Sequence, residues 1–597
     1  MQILNSNKVT ATLTALGIIA VSILLSQDWQ DEAAKDLADQ IYTNAEVVTI
    51  NPSQAEAQAV AVKNGRIIAV GSNKEIARFK GASTEQYDLS GYTLMPGFIE
   101  PHTHPIASAI LTEPKYERFS RRFLTPLIDL SGFSHPNPES LFRRLKLAVE
   151  AAEPGEWVLA FGLDPLLTKD LIPPDRHKLD EIAPNNPVFI LSQVMHTAYV
   201  NSLALEKSGL TKSTVDPSGG HFEREVDGNL SGILHESAIA TIKYQDEAGL
   251  IDKLSQAWAA RTALIDQYQT FADAGYTTIG VPGPVAMFEG YLDLLEHVAS
   301  RESSPLRSYV YPMVDEMPKT DYTPGYQNGR FHVLGVKIYL DGSPWTGAMA
   351  TAEPYLENSF TQDIIKMKKG NRGLLKETRR SLQQKVRDAH EAGWQIAIHS
   401  HGERAHAEAL DALENAQKQF GKKALRHRLE HLGLIRYEDL KRAAELGATP
   451  SFFIDHVYYF GEAVKNLLLG PERAERFMPL RWATELHDRV SIHTDNPATP
   501  IDPMRALKTS VRRVPRFSNE SMSASQKMSI EDALEAITID AAWQMHAEKD
   551  IGSIEVSKRA DFTLLSANPK TTAPENWHKI KVLGTWLEGE QVSGSSL

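Results

Sequence analysis

The 597-residue chain contains no cysteine. That one absence excludes disulfide staples, thiolate zinc sites and cysteine nucleophiles, so any metal must be held by histidine, carboxylate or a modified lysine. Basic residues are outnumbered, with 63 Lys and Arg against 76 Asp and Glu for a formal charge of -13. Such a balance argues against a nucleic-acid surface. Phosphate-cradling glycine loops, dinucleotide fingerprints and Gly-x-Ser-x-Gly nucleophile elbows are missing as well. What remains as partner is a small-molecule substrate, with no nucleic acid and with self-association into a homo-oligomer left open.

Long hydrophobic runs are scarce too. Only Val9 to Leu25, behind Lys8, is uncharged and mainly apolar over such a length. It lies at the lower edge of what spans a bilayer and no Ala-x-Ala site follows directly, so residues 1–28 read as either a signal peptide or a membrane anchor. The expectation is an exported protein, periplasmic or extracellular, that meets the membrane only through this segment. With 42% hydrophobic and 23% charged residues the remainder can bury a large core.

Both ends of that remainder are β-patterned. Ala45 to Ile50 and Ala59 to Gly71, around an Asn64-Gly65 turn, have counterparts in Ala560 to Leu565 and Ile580 to Glu590. Isolated strands need partners, so residues 40–95 and 548–597 are expected to build one composite β-sandwich. Between them, short apolar strands alternate with amphipathic helical stretches such as Leu374 to Ala392 and Ala405 to Gln419. The strands are Leu94 to Ile99, Tyr276 to Val281, Leu306 to Val314, Val333 to Leu340, Trp394 to His399, His427 to His431, Ala448 to Phe453 and Val490 to His493. Repeated βα units predict an α/β fold, a (β/α)8 TIM barrel over residues 96–547. The stretch from about 110 to 260 breaks the repeat and reads as an insertion after the first barrel strand.

Chemistry shows in the histidines. His102 and His104 are two apart on an extended segment and point to one side, so both imidazoles can face one ion. In isolation the pair is equally well read as two surface histidines. Further ligand types recur at other strand ends: Lys337, His399, His431 and Asp495. The C-terminal ends of barrel strands line a single mouth, so these groups are expected to converge there.

Those residues carry a resemblance. Pro96-Gly-Phe-Ile-Glu-Pro-His-Thr-His, Val336-Lys-Ile-Tyr-Leu-Asp-Gly, His399-x-x-Gly-Glu-Arg-Ala, Arg428-Leu-Glu-His and Thr494-Asp-Asn-Pro resemble the amidohydrolase superfamily, and within it the YtcJ-like group that includes N-substituted formamide deformylases. The likeness runs from about Ala45 to the C-terminus and includes Pro217-Ser-Gly-Gly-His and Leu230-Ser-Gly-Ile-Leu-His-Glu inside the insertion. Glu100 and Glu403 stand where relatives more often carry Asp, but neither substitution removes a ligand.

The resemblance implies one or two divalent metal ions, zinc by ligand type, with His102, His104 and Asp495 on one and His399 and His431 on the other. It also implies a carbamate on Lys337, formed from CO2, as the bridge between them. Metal-activated water would cleave an amide-type C-N bond, N-acyl or N-formyl, with Asp495 as catalytic proton carrier. Lactone, ester or cyclic-amide hydrolysis on the same site stays open, as does a catalytically silent envelope protein used for binding or regulation. The nearby His401 is a rival to His399, whose spacing to Gly402-Glu403-Arg404 fits better. His196, Trp345, His401 and His456 are the expected substrate contacts; His406, His427 and His493 are either packing histidines or further recognition groups.

Overall fold

A computed structural model describes residues 37–111, 127–193, 195–217, 220–243, 257–283 and 290–595. The Val9 to Leu25 run lies outside the described residues; among those described, no helix is long and apolar enough to cross a membrane.

Eight parallel strand positions form the centre: β1 (Phe98–Glu100), β2 (Tyr276–Pro282), β3 (Arg307–Tyr311), β4 (Phe331–Val333, resuming as Gly335–Tyr339), β5 (Gln395–Ser400), β6 (Arg428–His431), β7 (Thr449–Phe453) and β8 (Ser491–His493). Each pairs in parallel with the next from β1 to β8, the interrupted β4 pairing β3 through its first half and β5 through its second. The last gap, between β8 and β1, is closed without a regular ladder. Thr494 N–H donates to Glu100 Oε1 at 3.2 Å, and His104 N–H donates to the Asn496 carbonyl at 2.9 Å. The result is a TIM barrel. Its strands are buried on both faces, which is why they read as continuous apolar runs rather than alternating ones: Phe98, Ile279, Val310, Ile338, Ile398 and Phe452 share one core with the surrounding helices.

Two expected boundaries move. Leu94 to Ile99 is not one strand: Thr93–Pro96 pairs antiparallel with Phe562–Leu565 in the terminal sheet, whereas Phe98–Glu100 opens the barrel. Gly97 separates them, and a Cβ there would meet Thr277 Oγ1 at 2.3 Å, so the crossing of two sheets needs glycine. The helix expected from Leu374 begins instead at Arg379, because the Thr378 hydroxyl accepts from Ser381 N–H and caps it.

The chain ends supply two further sheets. Gln40–Thr43, Ala59–Lys63, Arg66–Gly71 and Glu85–Asp88 form one; Glu46–Val48, Glu56–Ala57, Thr93–Pro96, Phe562–Leu565, Val582–Leu587 and Glu590–Gly594 form the other. Tyr42, Val60, Leu94, Phe562 and Trp586 pack between them in one core. Between β1 and β2 lies a six-stranded mixed sheet with its own two cores, whose strands include Val158–Leu163, Val188–Ser192, Thr197–Val200, Gly220–Arg224 and Leu230–Glu236. It stands over the barrel's C-terminal mouth: Gln193 donates to the Pro497 carbonyl at 2.7 Å, just past β8.

Candidate metal centre

The strand ends bring their polar side chains to one buried point. His102 and His104 follow β1, Lys337 lies in β4, His399 in β5, His431 ends β6 and Asp495 follows β8. Ligand atoms of His102, His104 and Asp495 lie within 4.8 Å of one another. A second such triad joins His102 and His431 to His493. His399 belongs to neither triad but lies against His431, ring centroids 4.5 Å apart. His431 and Asp495 hold positive φ of 77° and 54°, a conformation uncommon outside glycine and concentrated at functional sites.

Each imidazole is oriented by a partner behind it. His102 Nδ1 lies 2.7 Å from Glu430 Oε2, His104 Nδ1 2.9 Å from the Gly283 carbonyl, and His399 Nδ1 3.1 Å from Asp341 Oδ1. Carboxylate and carbonyl oxygens only accept, so Nδ1 carries the proton in all three and the Nε2 lone pair is turned to the site. Burial pushes His102, His399, His431 and His493 well below the ordinary imidazole range, which keeps them in the form that can ligate.

What these atoms lack is as informative. Among the described residues, Nε2 of His102, Nζ of Lys337 and Oδ1 of Asp495 are buried with no hydrogen-bond partner. Asp495 Oδ1 lies 3.1 Å from His104 Nε2 and 3.7 Å from His102 Nε2. On the tautomers just assigned, lone pairs face each other across those gaps, a repulsive contact unless a cation sits between. Adjacent donors of a tetrahedral ion at 2.0–2.1 Å are about 3.3 Å apart, so the donor set fits a divalent metal. Lys337 is wholly inaccessible, and burial lowers its ammonium to about 8; its Nζ lies 4.9 Å from the Tyr339 ring centroid.

Three participants escaped the sequence reading: Glu430, Arg428 and Asp341. Glu430 accepts from His102 and pairs with Arg428 (Nε to Oε1 2.7 Å), itself bonded to the Pro101 carbonyl. Asp341 accepts from the His401 and Gly402 backbone N–H groups as well as from His399. Their signal was present in the Leu-Asp-Gly and Arg-Leu-Glu-His motifs, but a carboxylate two residues from a ligand does not announce what it holds. His493, left open above between packing and recognition, joins the cluster: its Nε2 is 3.2 Å from His431 Nδ1, and its own Nδ1 is 2.9 Å from Ser451 Oγ. Glu100 ties β1 to β8 through Thr494, burial raising its carboxyl to about 8.

Of the expected substrate contacts, His401 stacks on His431 at 4.9 Å and on His456 at 5.3 Å, and the Trp345 ring meets His456 edge-on at 4.7 Å while stacking on Phe460 at 4.0 Å. These three form an aromatic wall beside the triads. His196 comes from the insertion and pairs with Glu236 at 2.9 Å. His427 and His406 face elsewhere: the former bonds His390 and Ile396 N–H, the latter the Ser400 carbonyl.

The sequence profile of the amidohydrolase family matches residues 85–593. Protein LONG AFTER FAR-RED 3 of Arabidopsis thaliana is 27% identical over 93% of this chain and 92% of its own length. The N-substituted formamide deformylase of Arthrobacter pascens is 25% identical over 93% of this chain and 98% of its own. Among solved structures, an uncharacterized metal-dependent hydrolase from Pyrococcus horikoshii OT3 superposes with a TM-score of 0.66 at 21% identity, covering 90% of this chain and 99% of that one, a likeness of fold.

Proposed function

The chain belongs to the amidohydrolase family, and from that premise we propose that it hydrolyses an amide-type C-N bond, with N-acyl or N-formyl amines as the substrate class. The observation that carries the reading is the buried contact of Asp495 Oδ1 with the Nε2 atoms of His104 and His102 at 3.1 and 3.7 Å, electron-rich atoms with no proton between them. The deformylase likeness over nearly the whole length supports the choice of bond.

In this reading His102, His104 and Asp495 would hold one divalent ion, with zinc the metal best suited to two imidazoles and a carboxylate. His399 and His431 would hold a second, and Lys337 as a carbamate would add an oxygen donor, for which its burial-lowered amine is suited. The metal, when bound, supplies Lewis acidity that activates water near neutral pH and polarises the substrate carbonyl. The protein's own groups do the rest. Glu430, Asp341 and the Gly283 carbonyl hold the imidazoles in register, so that little reorganisation accompanies reaction. Asp495 Oδ1 is buried with no hydrogen-bond donor on it among the described residues, which equips the carboxylate to take a proton from water and return it to the leaving nitrogen. The wall of His401, His456 and Trp345 bounds the space for the substituent.

Assays across N-formyl amines, N-acyl amines, hydantoins and lactones, before and after chelation, test the reading. Metal-dependent release of amine from the first two classes is expected, and Asp495→Asn should abolish it with metal content largely kept. Hydrolysis confined to lactones would overturn the choice of bond, and full activity in Asp495→Asn would overturn its role.

A further inference from the structure

Glu430, the Gly283 carbonyl and Asp341 each fix one imidazole of the cluster, but the ring of His431 is met differently. Its Nδ1 faces His493 Nε2 at 3.2 Å, and Asp495 Oδ2, at 3.7 Å, is too far to compete for a hydrogen bond. Two imidazole nitrogens in contact leave open which of them carries the proton. A file of buried polar side chains leading away from His493 decides it. Ser491 and His493 are alternate residues of β8 and share a face, and Ser451 is the residue of β7 paired with Ser491. Behind them Gln544 reaches in from the helix Ile539–Gln544 to the start of β7. Gln544, Ser451 and Ser491 are wholly inaccessible and His493 is 1% exposed. Barrel interiors are usually filled by branched apolar side chains, so a polar file is costly there unless every member is bonded.

The direction of each bond follows from the one before it. The Pro450 carbonyl only accepts, so the Gln544 group 2.8 Å from it is the amide NH2, which also donates to Thr449 Oγ1 at 2.7 Å. Gln544 Oε1 is thereby turned the other way, where the Ser491 hydroxyl donates to it at 2.6 Å. A hydroxyl has one proton. That of Ser491 goes to the amide oxygen, which is nearer than Ser451 and has no proton of its own, so the 2.9 Å contact between the two serines is filled by the Ser451 proton. Ser451 Oγ can then only accept from His493 Nδ1, 2.9 Å away. In the neutral ring this leaves a lone pair on His493 Nε2, and the proton shared by the two imidazoles belongs to His431 Nδ1.

We propose that His493 is a positioning residue of the metal centre: by accepting from His431 Nδ1–H it holds that ring in the tautomer whose Nε2 is free to ligate, a setting relayed from Gln544 through Ser491 and Ser451. His431 then matches His102, His104 and His399, all of which carry the proton on Nδ1. His493 itself is not a ligand, although it lies in a triad with His102 and His431, because its one lone pair is already engaged. The placement of the protons stands on the hydrogen bonds alone; that the prepared nitrogen meets a metal rests on the reading given above.

Neutron diffraction from perdeuterated crystals of the purified, zinc-supplemented full-length chain reads the protons directly. Deuterium is expected on Nδ1 of both His431 and His493, with none on Nε2 of His493. Deuterium on His493 Nε2, or zinc bonded to it, would overturn the proposal. A chain that takes up no zinc counts against the metal reading, and the same map still decides the protons. Variants test the consequence in chelator competition for zinc: His493→Leu, which removes the acceptor, should weaken binding at least 10-fold, and His493→Gln, whose amide oxygen can accept in its place, should return it to within about 3-fold of the parent. Equal losses in both variants, with the fold intact by circular dichroism, would show that His493 acts through packing and not through the proton it accepts, and would overturn the proposal as well.

Discussion

Two buried clusters of ionisable groups differ in one respect that separates structure from function. Where the barrel meets the terminal sheets, Arg307 bonds Asp561 at 2.7 Å and Glu588 at 2.8 Å, while Arg330 and Arg559 complete the ring around Glu588. Burial would raise the Glu588 carboxyl, but the surrounding guanidinium groups outweigh it and hold that carboxyl at about 2. At the barrel mouth, by contrast, Lys337 Nζ, His102 Nε2 and Asp495 Oδ1 are buried and, among the described residues, unpaired. A closed network fixes two layers to each other; an open one awaits a ligand and costs stability until it is met.

Substitutions should therefore act oppositely in the two places. The largest effect expected is at the mouth: Lys337→Met should lower turnover by roughly 10³-fold, on the order of 4 kcal/mol, while the denaturation midpoint stays level or rises, because an unpaired buried amine is removed. A coupled loss of stability would close the gap between the two clusters. Next comes Arg307→Met, which leaves Asp561 and Glu588 without their shared partner and should cost about 3–5 kcal/mol in denaturant unfolding, with metal content unchanged in the fraction that remains folded.

Smaller effects sharpen the contrast. Glu430→Gln keeps an acceptor for His102 but weakens it, so metal affinity measured by chelator competition should fall roughly 10–100-fold. The pH dependence of stability is the mildest test. Burial pushes His332, His427 and His487 down to about 4, 3 and 4 from 6.5. Below pH 6.5 the unfolded chain binds protons that the folded one does not, so stability should decline as pH falls from 6.5 toward 4. The contribution of Glu588, lowered from 4.5 to about 2, is present above pH 4.5 and is lost only as pH falls through that lower window. Acid unfolding that began at pH 4.5, with nothing lost above it, would contradict the assignment of those histidines.

The barrel was legible because its strands are apolar on both faces and its ligands sit at fixed places relative to strand ends: each of the eight expected segments overlaps a barrel strand, although the half of β4 at Phe331–Val333 lies almost wholly outside the segment expected there, and His102, His104, Lys337, His399, His431 and Asp495 gather at one end. Legibility failed where a residue acts through another. Glu430 and Asp341 look like ordinary acids beside motif residues, and only their 2.7 and 3.1 Å contacts with ring nitrogens show what they hold. His493 was open between packing and recognition from its sequence, and only the contacts show that it lies within a candidate ligand triad. The break at Gly97 was hidden for a different reason, since a continuous apolar run cannot say that its two halves pair with different sheets.

Anomalous diffraction from crystals of the zinc-supplemented protein tests the central assignment most directly. A zinc-edge peak about 2.0–2.2 Å from His102 Nε2, His104 Nε2 and a carboxylate oxygen of Asp495 is the expected result. Full occupancy elsewhere, with those three atoms bridged only by water, would contradict it.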